Sequence, residues 1–198
     1  SLNYYPINDE MPEDGVAEIA VGLGKYIVDG GLALRFSPRH PDKVLQTSTL
    51  DLALRDTQTQ LYALDLKDVE GGFKVDDGFN IKKIRVQDAA KNGSLRYMVS
   101  TFDPYDQVIR DSEYGNGRRV VTFANVLQHK VFPLAEIVDF MLSEGEKEMR
   151  RPVEIEFAGC IDKHGETKGN VYWLQIRPIV DRKEMLDEKI MHTSDSQL

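Results

Sequence analysis

Two stretches alternate between apolar and polar residues: Val153-Glu-Ile-Glu-Phe-Ala-Gly-Cys-Ile161 and Asn170-Val-Tyr-Trp-Leu-Gln-Ile-Arg-Pro-Ile-Val180. An alternation with a period of two is typical of strands that bury one face. The apolar face of the first strand comprises Val153, Ile155, Phe157 and Ile161, and its other face comprises Glu154, Glu156, Ala158 and Cys160. The second strand places Tyr172, Leu174 and Ile176 on one face, and Trp173, Gln175 and Arg177 on the other. Because only a short polar segment separates the strands, we predict an antiparallel hairpin.

The apolar faces of the two strands predict the register of this hairpin. A loop centred on Gly165-Glu166 sets Glu156 opposite Gln175 and Glu154 opposite Arg177. The same register pairs the apolar residues, Ile155 with Ile176 and Phe157 with Leu174. A shift by one residue would set apolar side chains against polar ones, so it is disfavoured. Two carboxylates, one amide and one guanidinium are therefore expected on one face of the hairpin.

This polar set has two interpretations. The structural one is a cross-strand ion pair on a solvated face, which adds little to stability. The functional one is a nucleotide-phosphate site, because carboxylate and amide oxygens suit Mg²⁺ and a planar guanidinium binds a phosphate with two hydrogen bonds. Trp173 is expected on the same face, as a wall of the cleft or as ordinary packing.

The composition excludes several functional classes. The chain has 198 residues with 25 basic and 33 acidic side chains, a net charge of −8 and a pI near 5.1. A general nucleic-acid binder needs a basic face, so no nucleic-acid partner is expected. No apolar run approaches the roughly 20 residues of a membrane span, so no membrane partner is expected. The single cysteine, Cys160, excludes an internal disulfide, and we expect a cytoplasmic location.

The rest of the chain predicts one α+β domain over residues 1–198, mainly antiparallel sheet with flanking helices. Because it begins with Ser1 rather than Met, we expect a fragment of a larger chain. A long helix is predicted at Pro133–Met149, where apolar residues recur along one stripe. The region of about 67–128 is β-rich, with strands predicted at the following ranges: Phe79–Val86, Leu95–Phe102 and Arg119–Val126. We interpret this region as a supporting elaboration.

Several of these residues carry a family resemblance. The segments Val153-Glu-Ile-Glu-Phe157 and Leu174-Gln-Ile-Arg-Pro178 resemble the end of the nucleotide-binding domain of phosphoenolpyruvate synthase and pyruvate phosphate dikinase. Gly22-Leu-Gly24, with Val28-Asp-Gly30 behind it, is similar to the Gly-Leu-Gly segment of that family. The resemblance covers roughly residues 12–40 and 132–180. It implies the C-terminal half of an ATP-grasp fold, part of a PEP/pyruvate-binding domain.

The resemblance also implies roles for individual residues. Arg177 matches the arginine that contacts the transferred phosphate and is the expected catalytic residue. Glu156 and Gln175 match positions around Mg²⁺ and the ATP phosphates, and we expect both as metal ligands. The remaining expected cofactor-binding residues are Glu154, Gly22 and Gly24, together with Gln175. The implied cofactors are ATP and Mg²⁺.

The full enzymes of this family use ATP to phosphorylate a catalytic histidine on a mobile domain, which passes the phosphoryl group to pyruvate. We expect this chain to lack the preceding ATP-grasp half, the histidine domain and the pyruvate-binding barrel, and to be inactive in isolation. Its expected partners are ATP and, through the missing domains, pyruvate or phosphoenolpyruvate. The alternative is a non-catalytic regulatory or interaction domain that retains the half-fold.

Overall fold

A computed structural model describes residues 2–7, 9–66, 80–162 and 169–179 of the chain. Nine strands lie in these ranges: β1 Ala17–Ile19, β2 Leu34–Phe36, β3 Gln60–Leu64, β4 Ile81–Arg85, β5 Val99–Asp103, β6 Val108–Arg110, β7 Arg118–Val121, β8 Val153–Ile161 and β9 Gly169–Pro178. The same ranges contain five α-helices: α1 Lys25–Val28, α2 Leu50–Arg55, α3 Val86–Ala89, α4 Ala124–Leu127 and α5 Leu134–Met149.

The strands pair in four small antiparallel sheets within the described part of the chain. β1 pairs with β2, β3 with β4 and β8 with β9, while β5 lies between β6 and β7. The α+β class predicted from the sequence is therefore confirmed, with the antiparallel strands divided among several sheets. None of the helices in these ranges has the length and apolar character that crossing a membrane requires.

The long helix α5 packs its predicted stripe into the core. The buried residues of that stripe are Leu134, Val138, Met141 and Leu142. One turn beyond the stripe, a Cβ added at Gly145 would lie 2.7 Å from Ile176 Cδ1 and 3.0 Å from Val153 Cγ2. Because glycine has no side chain there, α5 approaches both strands of the β8–β9 hairpin closely.

The β-rich middle of the chain departs from the prediction at two points. The strand predicted at Leu95–Phe102 begins only at Val99, because residues 95–98 form a turn in which the Met98 amide donates to the Leu95 carbonyl at 2.9 Å. The strand predicted at Arg119–Val126 ends at Val121 in the structure, and helix α4 follows it. The reversal occurs at Phe123, which has a left-handed backbone with φ 50°. Thr122 Oγ1 accepts a hydrogen bond of 3.2 Å from the Ala124 amide, so the threonine supports the start of the helix instead of extending the strand. Residues 67–79, part of the same predicted region, lie outside the described ranges.

Asp14 connects the N-terminal segment to the rest of the fold. Its carboxylate accepts hydrogen bonds from the Met11 amide at 2.7 Å and from Arg39 Nη1 at 3.4 Å, and it lies 3.2 Å from His40 Nε2. Arg39 also donates to Asp139 of α5 at 3.1 Å. The Met11 amide, with smaller contributions from His40 and Arg39, lowers the pKa of the Asp14 carboxyl below its usual value, although burial opposes this.

We expect Asp14→Asn to destabilise the chain at neutral pH, because the carboxylate loses its charge-assisted hydrogen bonds. A carboxyl whose pKa is lower in the folded state stabilises the fold above its unfolded pKa of about 3.9, and this contribution is lost as pH falls through the folded value. The difference between the unmodified chain and the variant should therefore shrink below about pH 4. Urea unfolding of both chains across this pH range measures it, and a constant difference would contradict the assignment.

Candidate functional site

The β8–β9 hairpin has the predicted register over its first half. Glu154 lies opposite Arg177, Ile155 opposite Ile176 and Glu156 opposite Gln175. The core face of β8 is also as predicted, because Val153 is fully buried and Ile155 packs against the core. The structure therefore brings four predicted site residues to adjacent positions of one ribbon. The loop predicted at Gly165-Glu166 lies outside the described residues.

A β-bulge changes the register in the second half of the hairpin. Phe157 lies opposite Trp173 rather than Leu174, since the pairing shifts by one residue after Glu156. The predicted Phe157–Leu174 pair is therefore wrong, and so is the placement of Trp173 beside the charged residues. The extra residue is Leu174, and a bulge accommodates one unpaired residue at the cost of a local interruption of the ladder. Tyr172, Trp173 and Leu174 remain substantially exposed.

Glu154 and Arg177 form a two-point ion pair across the hairpin. Arg177 Nε donates to Glu154 Oε2 at 3.1 Å, and Arg177 Nη2 donates to Glu154 Oε1 at 2.9 Å. About half of each side chain is accessible, 50% for Glu154 and 54% for Arg177. The hydrogen bonds from Arg177 lower the pKa of the Glu154 carboxyl, and those to Glu154 raise the pKa of Arg177. Both groups are charged at neutral pH, so the pair is ionic.

Glu156 and Gln175 have the donor chemistry that Mg²⁺ requires. They are opposed across the hairpin, and neither side chain makes a hydrogen bond or ion pair with the described residues. No group of three His, Cys, Asp or Glu residues suited to a metal ion occurs in the same ranges. Mg²⁺ commonly takes only one or two protein ligands and completes its shell with phosphate oxygens and water. A carboxylate and an amide carbonyl fit that mode, so these two ligands remain a prediction.

The two glycines of Gly22-Leu-Gly24 have different surroundings. Gly22 has φ +94°, and an added Cβ would lie 2.7 Å from the Tyr62 carbonyl oxygen and 2.9 Å from Leu61 Cβ. Packing against β3 accounts for a glycine at this position. Gly24 has nothing within 4 Å of an added Cβ, and its φ of −56° suits any residue. Neither the backbone conformation nor the packing requires a glycine at position 24. The predicted role in cofactor binding therefore suits Gly24 better than Gly22.

Gln58, which the sequence patterns did not single out, holds this turn in place. The side chain is buried, and its amide accepts from the Val21 amide at 2.8 Å and donates to the Val21 carbonyl at 2.8 Å. It also donates to the Gln60 carbonyl at 2.9 Å. A polar residue just before a predicted strand signals little by itself, so only the folded chain shows that Gln58 connects β3 to the segment before Gly22.

A cleft of about 590 Å³ lies beside the hairpin. Its polar lining comes from Glu18, Gly24, Glu154, Glu156 and Arg177. Its apolar lining comes from Val16, Ala17, Ile27, Val28, Val138, Met141, Leu142, Ile155, Phe157 and Leu174. Residues from β1, α1, α5 and the hairpin thus meet in one place, and four of the predicted site residues are among them. The other two, Gly22 and Gln175, lie outside the lining.

This chain matches no family model, no curated protein and no solved structure. The chemistry of the cleft itself is therefore the basis for its function. Three carboxylates and one guanidinium line it, so it has two net negative charges when all four groups are ionised. A bare polyphosphate would be repelled strongly by such a cleft, whereas a polyphosphate that carries a divalent cation has less negative charge and would be repelled less. The arrangement can bind a metal–phosphate complex better than a free anion.

Proposed function

We propose that this chain is the ATP-binding part of a phosphotransferase that resembles phosphoenolpyruvate synthase and pyruvate phosphate dikinase. In this proposal the chain is the C-terminal half of an ATP-grasp module. The observation that carries the proposal is the hairpin register, which aligns Glu154, Glu156, Gln175 and Arg177 on one ribbon. All of them except Gln175 line a cleft that Gly24 also lines. The resemblance named these residues, and their proximity in the fold supports the proposal.

The proposed reaction transfers a phosphoryl group of ATP to a histidine on another domain, and from there to pyruvate. Bound Mg²⁺ would neutralise charge on the phosphate oxygens, and Glu156 and Gln175 would hold it. Arg177 would bind the transferred phosphoryl group and stabilise the charge that develops on it. No nucleophile from this chain is needed, because catalysis of this kind depends on positioning and on charge neutralisation.

The second candidate is a non-catalytic interaction domain with the same half-fold. The observation that favours it is the Glu154–Arg177 ion pair, which satisfies both charges within the chain and needs no ligand. An interaction domain would have no need of an Mg²⁺-dependent ATP site. The dependence of ATP binding on Mg²⁺ therefore distinguishes the two candidates.

We expect the isolated chain to bind Mg·ATP weakly, with a dissociation constant of about 1 mM or higher. An ATP-grasp site closes on the nucleotide from two lobes, and the residues that support the proposal belong to one of them. We also expect EDTA to abolish binding, because free ATP meets the net negative cleft without a bridging cation. An NMR titration of the chain with ATP, with and without Mg²⁺, measures both effects.

A micromolar constant in that titration would show a complete site within these residues and contradict the half-module. Equal affinity for ATP with and without Mg²⁺ would exclude the metal site at Glu156 and Gln175. Absence of any ATP-dependent shift at the hairpin, at millimolar Mg·ATP, would favour the interaction domain.

A further inference from the structure

The Glu154–Arg177 ion pair uses a particular edge of the arginine. A guanidinium has five N–H donors arranged as a planar fork. Glu154 accepts from Nε and from one hydrogen of Nη2, which together form the side edge of that fork. Three donors remain, two on Nη1 and one on Nη2. One hydrogen of Nη1 and the remaining hydrogen of Nη2 form the end edge of the guanidinium, which can bind a phosphate by two parallel hydrogen bonds.

The negative charge of Glu154 is by itself unfavourable for a phosphate site. Glu154 can favour phosphate binding there only through an effect other than its charge. Glu154 lines the cleft together with Glu18 and Glu156, so it adds to the repulsion that an incoming phosphate experiences. A long arginine side chain that is half accessible would otherwise sample many rotamers and would lose that freedom on binding. The two hydrogen bonds from Arg177 restrict these rotamers before any ligand arrives.

Glu154 is also poorly suited to be a metal ligand. Both of its oxygens accept hydrogen bonds from Arg177, so a metal ion would have to displace a cation from them. Glu156 lies two residues along the same strand and makes no bond to a described side chain. The two carboxylates therefore differ in availability, although sequence and exposure make them equivalent.

We infer that Glu154 is a positioning residue, which holds Arg177 so that its free edge faces a phosphate, and that the metal binds at Glu156 without it. This inference rests on the proposed function. It assigns different roles to Glu154 and Glu156, positioning of Arg177 and metal binding, which the alternation of the strand alone does not distinguish.

The test compares three substitutions that each remove one negative charge from the cleft: Glu154→Gln, Glu156→Gln and Glu18→Gln. The 198-residue chain is titrated with Mg·ATP by NMR and with Mn²⁺ alone by electron paramagnetic resonance. If charge were the only effect of Glu154, its removal would raise Mg·ATP affinity, as we expect for Glu18→Gln by about twofold. If Glu154 positions Arg177, its removal should instead weaken Mg·ATP binding by about fivefold to tenfold.

Mn²⁺ affinity separates positioning from metal binding. We expect Glu154→Gln to leave it within about twofold and Glu156→Gln to lower it at least about tenfold. Because Arg177 Nε–H is hydrogen-bonded to Glu154, we expect a sharp Nε–H resonance in the unmodified chain and a broader or faster-exchanging one in Glu154→Gln. This signal reports the guanidinium directly and needs no ligand. Thermal unfolding of each variant verifies that the fold is intact.

Mg·ATP binding that stays equal or tightens in Glu154→Gln would overturn the inference, as would an Mn²⁺ loss like that of Glu156→Gln. In either case the proposed function stands if Glu156→Gln still weakens Mg·ATP. If the unmodified chain shows no Mg²⁺-dependent ATP binding, the proposed function fails, and the inference fails with it.

Discussion

In the phosphotransferase proposed above, Arg177→Lys is expected to reduce ATP-dependent phosphorylation on the order of 10³-fold. Lysine keeps the positive charge but loses the planar fork, so it can neither bind a phosphoryl group at two points nor form the two-point pair with Glu154. The melting temperature should change by less than about 2 °C, because half-exposed ion pairs contribute little to stability. The measurements are the rate of phosphoryl incorporation from ATP and a thermal melt.

Arg55→Lys is the matched control for this experiment. Arg55 donates from Nε and Nη2 to the two oxygens of Asp56, both at 2.8 Å, and so reproduces the Arg177–Glu154 geometry away from the cleft. We expect normal phosphorylation in that variant. Near-normal phosphorylation in Arg177→Lys as well would show that the hairpin residues form a solvated ion-pair face and no phosphate site.

Gly22→Ala is expected to lower the free energy of unfolding by about 2–4 kcal/mol, because the new Cβ meets a carbonyl oxygen and the backbone is left-handed. The distance from that Cβ to Tyr62 O would be 2.7 Å, and φ is +94°. The clashing atom is a backbone oxygen, so a rotamer change cannot relieve the contact. The same carbonyl also accepts a hydrogen bond of 3.0 Å from the Leu23 amide, which holds it in place. The melting temperature of a chain this long should fall by about 5–15 °C.

Gly24→Ala provides the comparison within the same turn. Nothing lies within 4 Å of its added Cβ, so we expect the free energy of unfolding to change by less than about 1 kcal/mol. Gly24 lines the cleft, so a phosphate that approaches its backbone would meet an added methyl group. Mg·ATP affinity should therefore fall in Gly24→Ala without loss of stability. Equal stability of the two variants in chemical denaturation would contradict the packing role of Gly22.

The first half of the hairpin could be predicted because two apolar faces must coincide, and this fixes the pairing of Glu154 with Arg177 without any knowledge of the rest of the fold. The bulge could not be predicted, because the alternation of β9 continues through Leu174 without a glycine or proline to mark it. The helix after Val121 was missed for a related reason: β-branched residues indicated a strand, while the left-handed Phe123 that ends it has no sequence signature.

The cleft could not be predicted from the sequence either, for a different reason. Glu18 and Gly24 are more than a hundred residues from the hairpin, and they reach it because β1 and α1 pack beside α5 and β8. The close approach of α5 to the hairpin depends on Gly145. A helical pattern of apolar side chains does not identify this position, because glycine has no side chain. Long-range packing of this kind follows from the shape of the assembled core and not from a local pattern.

The bulge at Leu174 affects how copies of this chain meet one another. Among the described residues the β8–β9 ribbon pairs with no third strand, so its outer edges keep backbone donors and acceptors beside the exposed Tyr172, Trp173 and Leu174. A regular ladder would let a second molecule continue the sheet. Because the bulge breaks the spacing of those donors and acceptors and twists the strand, an incoming strand loses its register after a few residues. We therefore expect the bulge to disfavour edge-to-edge pairing of two copies through this strand.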